Sequence, residues 1–560
     1  MCGIIGGNKF KNDTKIQQGL LSIIHRGKDD NTIFSFDNNM YLSHNRLSIQ
    51  DLSEVANQPM VSDDSRYYLA FNGELWKSSF DKFDKKLRKL YNFKTEKSDT
   101  ELLLYYLIHN IKNIGRSLRE LDGMFAFSLY DSETNTTYLG RDFIGRMPLY
   151  YHYDGEKFGY CSEAKGLRVG LDTPYYKIDV KSKYHKMADV KDKETIYPVL
   201  PGHLITFEPH PFVTDSYEIK EEVWYTFKDE YDKDNQSYYT RDEEQFRHFE
   251  QEDKGVDYYV NGFKDIVNEA VDNELISDVP VCTILSGGID STIITYLLSK
   301  KLKNVEAFVV NVNPLRKSKY KDDLYYARMA AKEFGIKLHE VNVDREDIEK
   351  KLKESIWASE TFKWTQVSPA VAQLFLAEEI EKQGYKVVFG GEGADEIFAS
   401  YGDVKRFCWN EPVHWHQKRI NLLNGLHKSN LVRTNKSMMY GGTVELRTPF
   451  LNKEVIDFGL RIPTKYRDEN YEVRKNFEYK TTEHSDGNVM KFILRKAFEN
   501  DISEELLWRP KKTFQVGCHT DYLKTEEPMM YKVFGELFVK GNGYTEYLSK
   551  SDKKINLEKK

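Results

Sequence analysis

The chain has 560 residues, 40% of them hydrophobic and 30% charged, with 37 Tyr and 32 Phe, a composition that builds packed cores and excludes a disordered chain. Its net charge of −6 supplies no global basic field for nucleic acid or anionic lipid, and no apolar run approaches the ~18 residues of a membrane span. Five scattered cysteines (Cys2, Cys161, Cys282, Cys408, Cys518) without a CxxC pair argue against a disulfide framework or zinc cluster and favour a reducing compartment. The length predicts more than one domain.

In chain order, residues 1–167 carry short β-rich runs at 67–71, 124–130, 138–140, 149–153 and 158–161. One helix is expected at 99–111, with Asp99 as its cap. Residues 168–255 turn polar and read as a connector with charged insertions, although 196–207 still reads as a strand pair. From 256 to about 540 helices and strands alternate, at 263–274, 279–285, 292–302, 305–312, 322–334 and 338–343, the signature of a parallel α/β sheet. Residues 541–560 form a polar, Lys-rich tail expected to fray.

Two groups of residues carry chemistry. Cys2 follows Met1, whose removal leaves a thiol and a free α-amino group on one residue. An amine with reference pKa ~7.7–8.0 can serve as the base for its own thiol. Downstream lie His25-Arg26-Gly27, Arg46-Leu47-Ser48-Ile49, Asn72-Gly73-Glu74, Ser98-Asp99-Thr100-Glu101 and Arg141-Asp142. In order and spacing these resemble the class II glutamine amidotransferases, an α+β N-terminal nucleophile (Ntn) hydrolase sandwich of αββα layers. The resemblance implies glutamine binding by Arg46, Leu47, Ser48, Ile49, Asn72, Gly73, Glu74 and Asp99. Arg46 would clamp the α-carboxylate and Asp99 accept from the α-ammonium. The Asn72 amide and Gly73 N–H would form an oxyanion hole. Lys28 departs from the Pro usual in that family.

The second group begins with Ser286-Gly287-Gly288-Ile289-Asp290-Ser291, a Gly-rich turn between an apolar strand and a helix. Such a turn offers unpaired N–H groups to a pyrophosphate, and it is neither GxGxxG nor GxxxxGK. It resembles the loop of ATP pyrophosphatases, whose domain is an α/β parallel-sheet fold of the adenine-nucleotide alpha-hydrolase type. That likeness implies ATP binding by Ile284, Ser286, Gly287, Gly288, Asp290, Ser291, Val310, Gly390 and Gly391, with Mg2+ on Asp290 and Asp395. Gly391-Glu392-Gly393-Ala394-Asp395-Glu396 follows a strand, and residues 433–451 resemble the helix and loop that complete a synthetase pocket, with Asn435 where Asp is usual. Trp508-Arg509-Pro510-Lys511 resembles the segment whose lysine, here Lys511, stabilises the α-phosphate.

Both halves together resemble the glutamine-hydrolysing asparagine synthetases. The implied substrates are glutamine, aspartate and ATP with Mg2+, in a cytoplasmic enzyme with no nucleic-acid or membrane partner, and a homodimer is left open. Glu392 is the candidate base for the attacking amine, and an internal passage for ammonia is expected. Residues 360–368 open like the family's Glu-Thr-Tyr-Asp stretch and then depart from it, with Lys363 for Asp and Ser368 where Arg is common. The departure leaves the acceptor open. A ligase of the same architecture that amidates or cyclises another carboxylate, as β-lactam synthetase does, is the nearest rival. An inactive scaffold would be marked by loss of the charged site residues, and all of them are present.

Overall fold

In the computed structural model, described for residues 1–171, 177–178, 195–227, 253–313, 322–401, 412–463, 466, 490–509, 518–539 and 556–560, the first half forms two facing, mainly antiparallel sheets. Its strands are β1 (Gly3–Gly7), β2 (Asp30–Ser35), β3 (Tyr41–Arg46), β4 (Met60–Val61), β5 (Tyr67–Leu75), β6 (Gly123–Asp131), β7 (Thr136–Arg141), β8 (Tyr150–Tyr153) and β9 (Phe158–Cys161). Further along come β10 (Lys177–Ile178), β11 (Thr195–Pro198), β12 (His203–Pro209) and β13 (Tyr217–Val223). One sheet runs β10-β11-β8-β9-β1-β3-β2 and the other β13-β12-β7-β6-β5-β4. Strands β1, β5 and β6 are buried throughout because each is covered on both faces. The helices Asp13–Ser22 and Ala164–Leu171 cover the first sheet, while Lys77–Leu87 and Asp99–His109 cover the second, giving αββα layers.

Three expectations change here. Residues 195–223, read as part of a connector, are built into both sheets: β11 pairs with β8 and β12 with β7. The strand pair expected at 196–207 is therefore split between sheets, since its two strands find their partners elsewhere in the chain. The helix Asp99–His109 starts after Ser98, and Asp99 does not cap it; its carboxylate accepts from the Leu75 amide at 3.2 Å. At the C-terminus, β19 (Asn556–Lys559) adds in parallel to β2 instead of fraying.

The second half contains a five-stranded parallel sheet of β14 (Val281–Ile284), β15 (Glu306–Val312), β16 (Lys337–Val343), β17 (Val387–Phe389) and β18 (Glu445–Arg447), ordered β16-β15-β14-β17-β18. The chain winds outward from β14 in one direction, then returns to its other side with β17. That reversal opens a crevice beyond the carboxyl ends of β14 and β17, where open α/β sheets bind ligands. The two following turns, 285–288 and 390–393, therefore face one space. The helix Ile289–Lys301 starts at the first turn with Gly288 as its N-cap residue.

Candidate functional site

Cys2 lies immediately before β1 and is 6% exposed. Its Sγ sits 3.5 Å from the Leu47 amide nitrogen and 3.9 Å from the Leu47 carbonyl. The Cys2 nitrogen donates to Asn72 Oδ1 at 2.8 Å, and Arg26 Nε donates to the Cys2 carbonyl at 2.9 Å. Asn72 thus spends its oxygen on Cys2, while its buried Nδ2 has no partner among the described residues. A buried orphan donor is expensive unless something else supplies an acceptor. Gly73 has φ +149°, and a Cβ there would run into the Met124 carbonyl, so only glycine fits. Burial pushes the Cys2 thiol up, opposed by the nearby N-terminal ammonium, the Leu47 amide and Arg46. Met1 is itself buried, its ammonium 2.8 Å from Glu445 Oε2. Removing Met1 would move the α-amino group onto the Cys2 nitrogen, already within reach of Asn72 Oδ1.

The remaining first-half residues have mixed placements. The Arg46 guanidinium braces the following loop through Ser53 O at 2.9 Å and through Asn57 Oδ1 and Asp51 O, each at 2.5 Å. The Ser48 amide donates to Asp29 at 2.7 Å, and the Ile49 carbonyl accepts from Asp278 at 3.0 Å, tying this loop to the second half. Glu74 accepts from Gln50 Nε2. Burial, with Glu445 and Asp99 nearby, pushes the Glu74 carboxyl well above its ordinary value. Burial also raises Asp99 to about 6, against the Leu75 amide that favours its charged form.

The nucleotide-side residues surround a cavity of about 210 Å³ at the crevice. Its wall includes Ile284, Ser286, Gly288, Asp290, Ser291, Gly390, Gly391, Glu392 and Asp395, as expected. Gly287 and Val310 do not line it. Gly287, at φ +70°, makes the turn and offers its carbonyl to Arg509 Nη1 at 2.5 Å, while Val310 is paired to Val341 inside the sheet. Ser286 and Ser291 share a hydrogen bond of 3.0 Å across the turn. Glu392 is half-buried, with its inward Oε2 lacking a partner among the described residues; desolvation lifts its carboxyl and Arg433 pulls it back.

The residue that sequence reasoning missed is Lys491. Its side chain is 1% exposed, and Nζ lies 2.5 and 2.6 Å from the two Asp290 oxygens and 2.6 Å from Asp395 Oδ1. The two carboxylates outweigh burial and hold its ammonium above the ordinary lysine value. The available signal was one lysine opening the otherwise apolar run Met490-Lys491-Phe492-Ile493-Leu494. Arg433, Arg495 and Arg509 add cationic wall. Lys511 lies outside the described residues. Among the described residues no group of three or more His, Cys, Asp or Glu could hold a metal alone. Two hard carboxylates converging on one point nevertheless fit Mg2+, which takes its other ligands from water and phosphates.

Lys363 is exposed and does not line the cavity. Ser368 Oγ is buried and bonded to Thr520 at 2.8 Å from Oγ1 and 2.9 Å from the carbonyl. Asn435 sits between the halves, accepting from Arg26 Nη2 at 3.2 Å and donating to the Arg146 carbonyl at 3.2 Å.

A glutamine amidotransferase domain model matches residues 1–218, and an asparagine synthase model matches residues 262–416 and 409–544. The chain is 28% identical over 544 residues to asparagine synthetase B (glutamine-hydrolyzing) of Escherichia coli, covering 94% of this chain and 84% of that protein. It is 29% identical to asparagine synthetase (glutamine-hydrolyzing) of Pongo abelii and 28% to that of Homo sapiens, each over 92% of this chain and 84% of the relative. No described helix is long and apolar enough to cross a membrane.

Proposed function

Because the chain belongs to the asparagine synthase family, we propose that it makes asparagine from aspartate, ATP and glutamine, with glutamine cleaved in the first half and the carboxylate activated in the second. The observation that carries the reading is the pairing, in one chain, of a thiol beside the orphan Asn72 amide and a cavity holding Lys491 between Asp290 and Asp395.

In the first half Cys2 Sγ attacks the side-chain carbonyl of glutamine, and the α-amino group left by Met1 removal takes the thiol proton. Asn72 Nδ2 and the Gly73 N–H stabilise the oxyanion; donors of this kind are each worth about 10²–10³ in rate. The proton passes to the departing ammonia, and water then hydrolyses the thioester to glutamate. Arg46 would exchange loop carbonyls for the substrate carboxylate, and Asp99 with Glu74 would face its ammonium.

In the second half the turn 286–291 receives the pyrophosphate at a helix N-terminus. An oxygen of the aspartate β-carboxylate attacks the α-phosphorus of ATP, and pyrophosphate leaves. Lys491 answers the charge that develops there, with Lys511 assigned a share of the same task. Asp290 and Asp395 would hold Mg2+, which neutralises phosphate charge when bound. Ammonia then attacks the aspartyl-AMP carbonyl, Glu392 takes a proton from the attacking amine, and AMP leaves. Desolvation raises the Glu392 carboxyl above its ordinary value, which makes it a stronger proton acceptor.

The test is incubation of the purified chain with glutamine, ATP, Mg2+ and aspartate, with asparagine, AMP and pyrophosphate as products. Cys2→Ala should lose glutamine support and keep ammonium support. A second reading, adenylation of a different carboxylate, is favoured by the exposure of Lys363 and the engagement of Ser368 with Thr520. Absence of aspartate-dependent AMP would put it first.

A further inference from the structure

Strand β18 is three residues long and touches both sites. Its backbone belongs to the nucleotide side. Arg447 stands opposite Phe389 of β17, and the Gly390 amide donates to the Arg447 carbonyl at 2.9 Å. Gly390 opens the turn that carries Glu392 and Asp395 into the cavity.

The side chains of Glu445 and Arg447 point into the glutamine side. Glu445 Oε2 holds the N-terminal ammonium, and Glu445 Oε1 accepts from Arg447 Nε at 2.8 Å. Arg447 Nη1 donates to the Ile276 carbonyl at 2.6 Å and to the Glu274 carbonyl, and the guanidinium lies 5.4 Å from the Trp76 ring centre. The remaining nitrogen, Nη2, has no hydrogen-bond partner among the described residues and stops 3.9 Å from Glu74 Oε2, which is held by Gln50. Arg447 is fully buried, out of contact with bulk water. A buried guanidinium short of one partner, facing a carboxyl of the glutamine site, has two arrangements available: the open gap seen here and a closed Glu74–Arg447 pair.

We propose that Arg447 is a positioning residue that couples the two sites: glutamine binding turns Glu74 from Gln50 onto Arg447 Nη2, and the shift of β18 is passed through the Arg447 carbonyl to Gly390 and the turn bearing Glu392 and Asp395. The inference rests on the assignment of glutamine to the first half and nucleotide to the second. Coupling of this kind is reciprocal for binding, so nucleotide and acceptor in the cavity also favour glutamine. Arg447 touches neither reacting centre; it acts through Glu74 and Gly390.

The experiment uses the full chain, wild type, Arg447→Met and Arg447→Lys, and three rates: glutaminase alone, glutaminase with ATP, Mg2+ and aspartate, and pyrophosphate release with ammonium. In the wild type, ATP and aspartate should raise glutaminase kcat/KM about fivefold or more, the lower end of allosteric coupling. In both variants that ratio should fall to about 1 while the first and third rates stay within about threefold of wild type, a split that general loosening would not produce. A variant that keeps the wild-type ratio overturns the coupling. So does a wild-type ratio near unity when both activities are present, whereas a wild type with neither activity overturns the functional assignment and the coupling with it. If both variants lose all three rates together, amide exchange in the wild type decides. A diazoketone analogue of glutamine attached to Cys2 should change exchange over residues 387–392, and unchanged exchange at Gly390 overturns the proposal.

Discussion

Replacing Lys491 by Met removes one ammonium and leaves its two carboxylates facing each other. Legs of 2.5 Å to Asp290 and 2.6 Å to Asp395 put the two carboxylate oxygens within about 5 Å of each other. At that distance, with an effective dielectric constant of about 20, two carboxylates repel by about 3 kcal/mol. The repulsion raises the pair's affinity for a proton, and a protonated carboxylate is lost as a cation ligand. Two effects should therefore appear together. Aspartate-dependent pyrophosphate release should fall by about 10²-fold or more with either nitrogen source, because an electrostatic group aimed at developing charge is gone. The residual rate should rise with increasing pH as the raised carboxylate ionises. Glutaminase activity without ATP serves as the folding control and should persist. The assay is pyrophosphate release across pH with saturating ammonium. Pyrophosphate release at the wild-type rate from Lys491→Met would refute the reasoning and leave Lys511 as the lysine to examine.

Asn72→Ala should lower glutaminase kcat by about 10²–10³ with little change in the glutamine KM, since the lost donor serves the oxyanion and not the ground state; an equal loss in KM alone would count against the oxyanion role. Asp99, held at about 6, is charged above that value and neutral below it, so the glutamine KM should rise as pH falls through 6 and be flat above 7; a flat profile from pH 5 to 7 would remove Asp99 from ammonium recognition. Lys363→Ala should leave the aspartate KM unchanged, because the side chain is exposed and off the cavity wall, whereas Arg433→Met should raise it about tenfold or more if this buried cation holds the acceptor carboxylate.

What could be read from the sequence was local. Strands such as β5, β6 and β9 announce themselves through apolar runs, and the two Gly-bearing turns do so because a turn at a strand end needs small residues wherever it occurs. Residues whose meaning lies in assembly were not readable. Lys491 is 201 positions from Asp290, and no local pattern brings a lysine between two aspartates that far away. The residues of β11 and β12 look like a hairpin because they adjoin in sequence, yet each is claimed by a longer-range partner, β8 or β7. Asp99 looks like a cap because it opens a helix, but the Leu75 amide offers it a better-placed donor in a buried setting. The largest illegible feature is the boundary between the halves. Arg26, Glu163 and Lys165 of the first half are fully buried. So are Glu360, Asn435 and Lys436 of the second, at 5% exposure or less. Arg26 reaches Asn435, the Lys165 amide donates to Glu360 at 2.5 Å, and Lys436 holds both Glu360 and Tyr150 Oη, the latter at 3.1 Å. A buried charge without its partner costs several kcal/mol, and two buried ion pairs are shared between the halves, Arg146 with Glu274 and the Met1 ammonium with Glu445, each at 2.8 Å. The docked arrangement is therefore strongly preferred over separated halves and over other registers of docking. The same Arg26 that reaches Asn435 also holds the Cys2 carbonyl, so the geometry of the nucleophile depends on the docking of the half that would consume its ammonia.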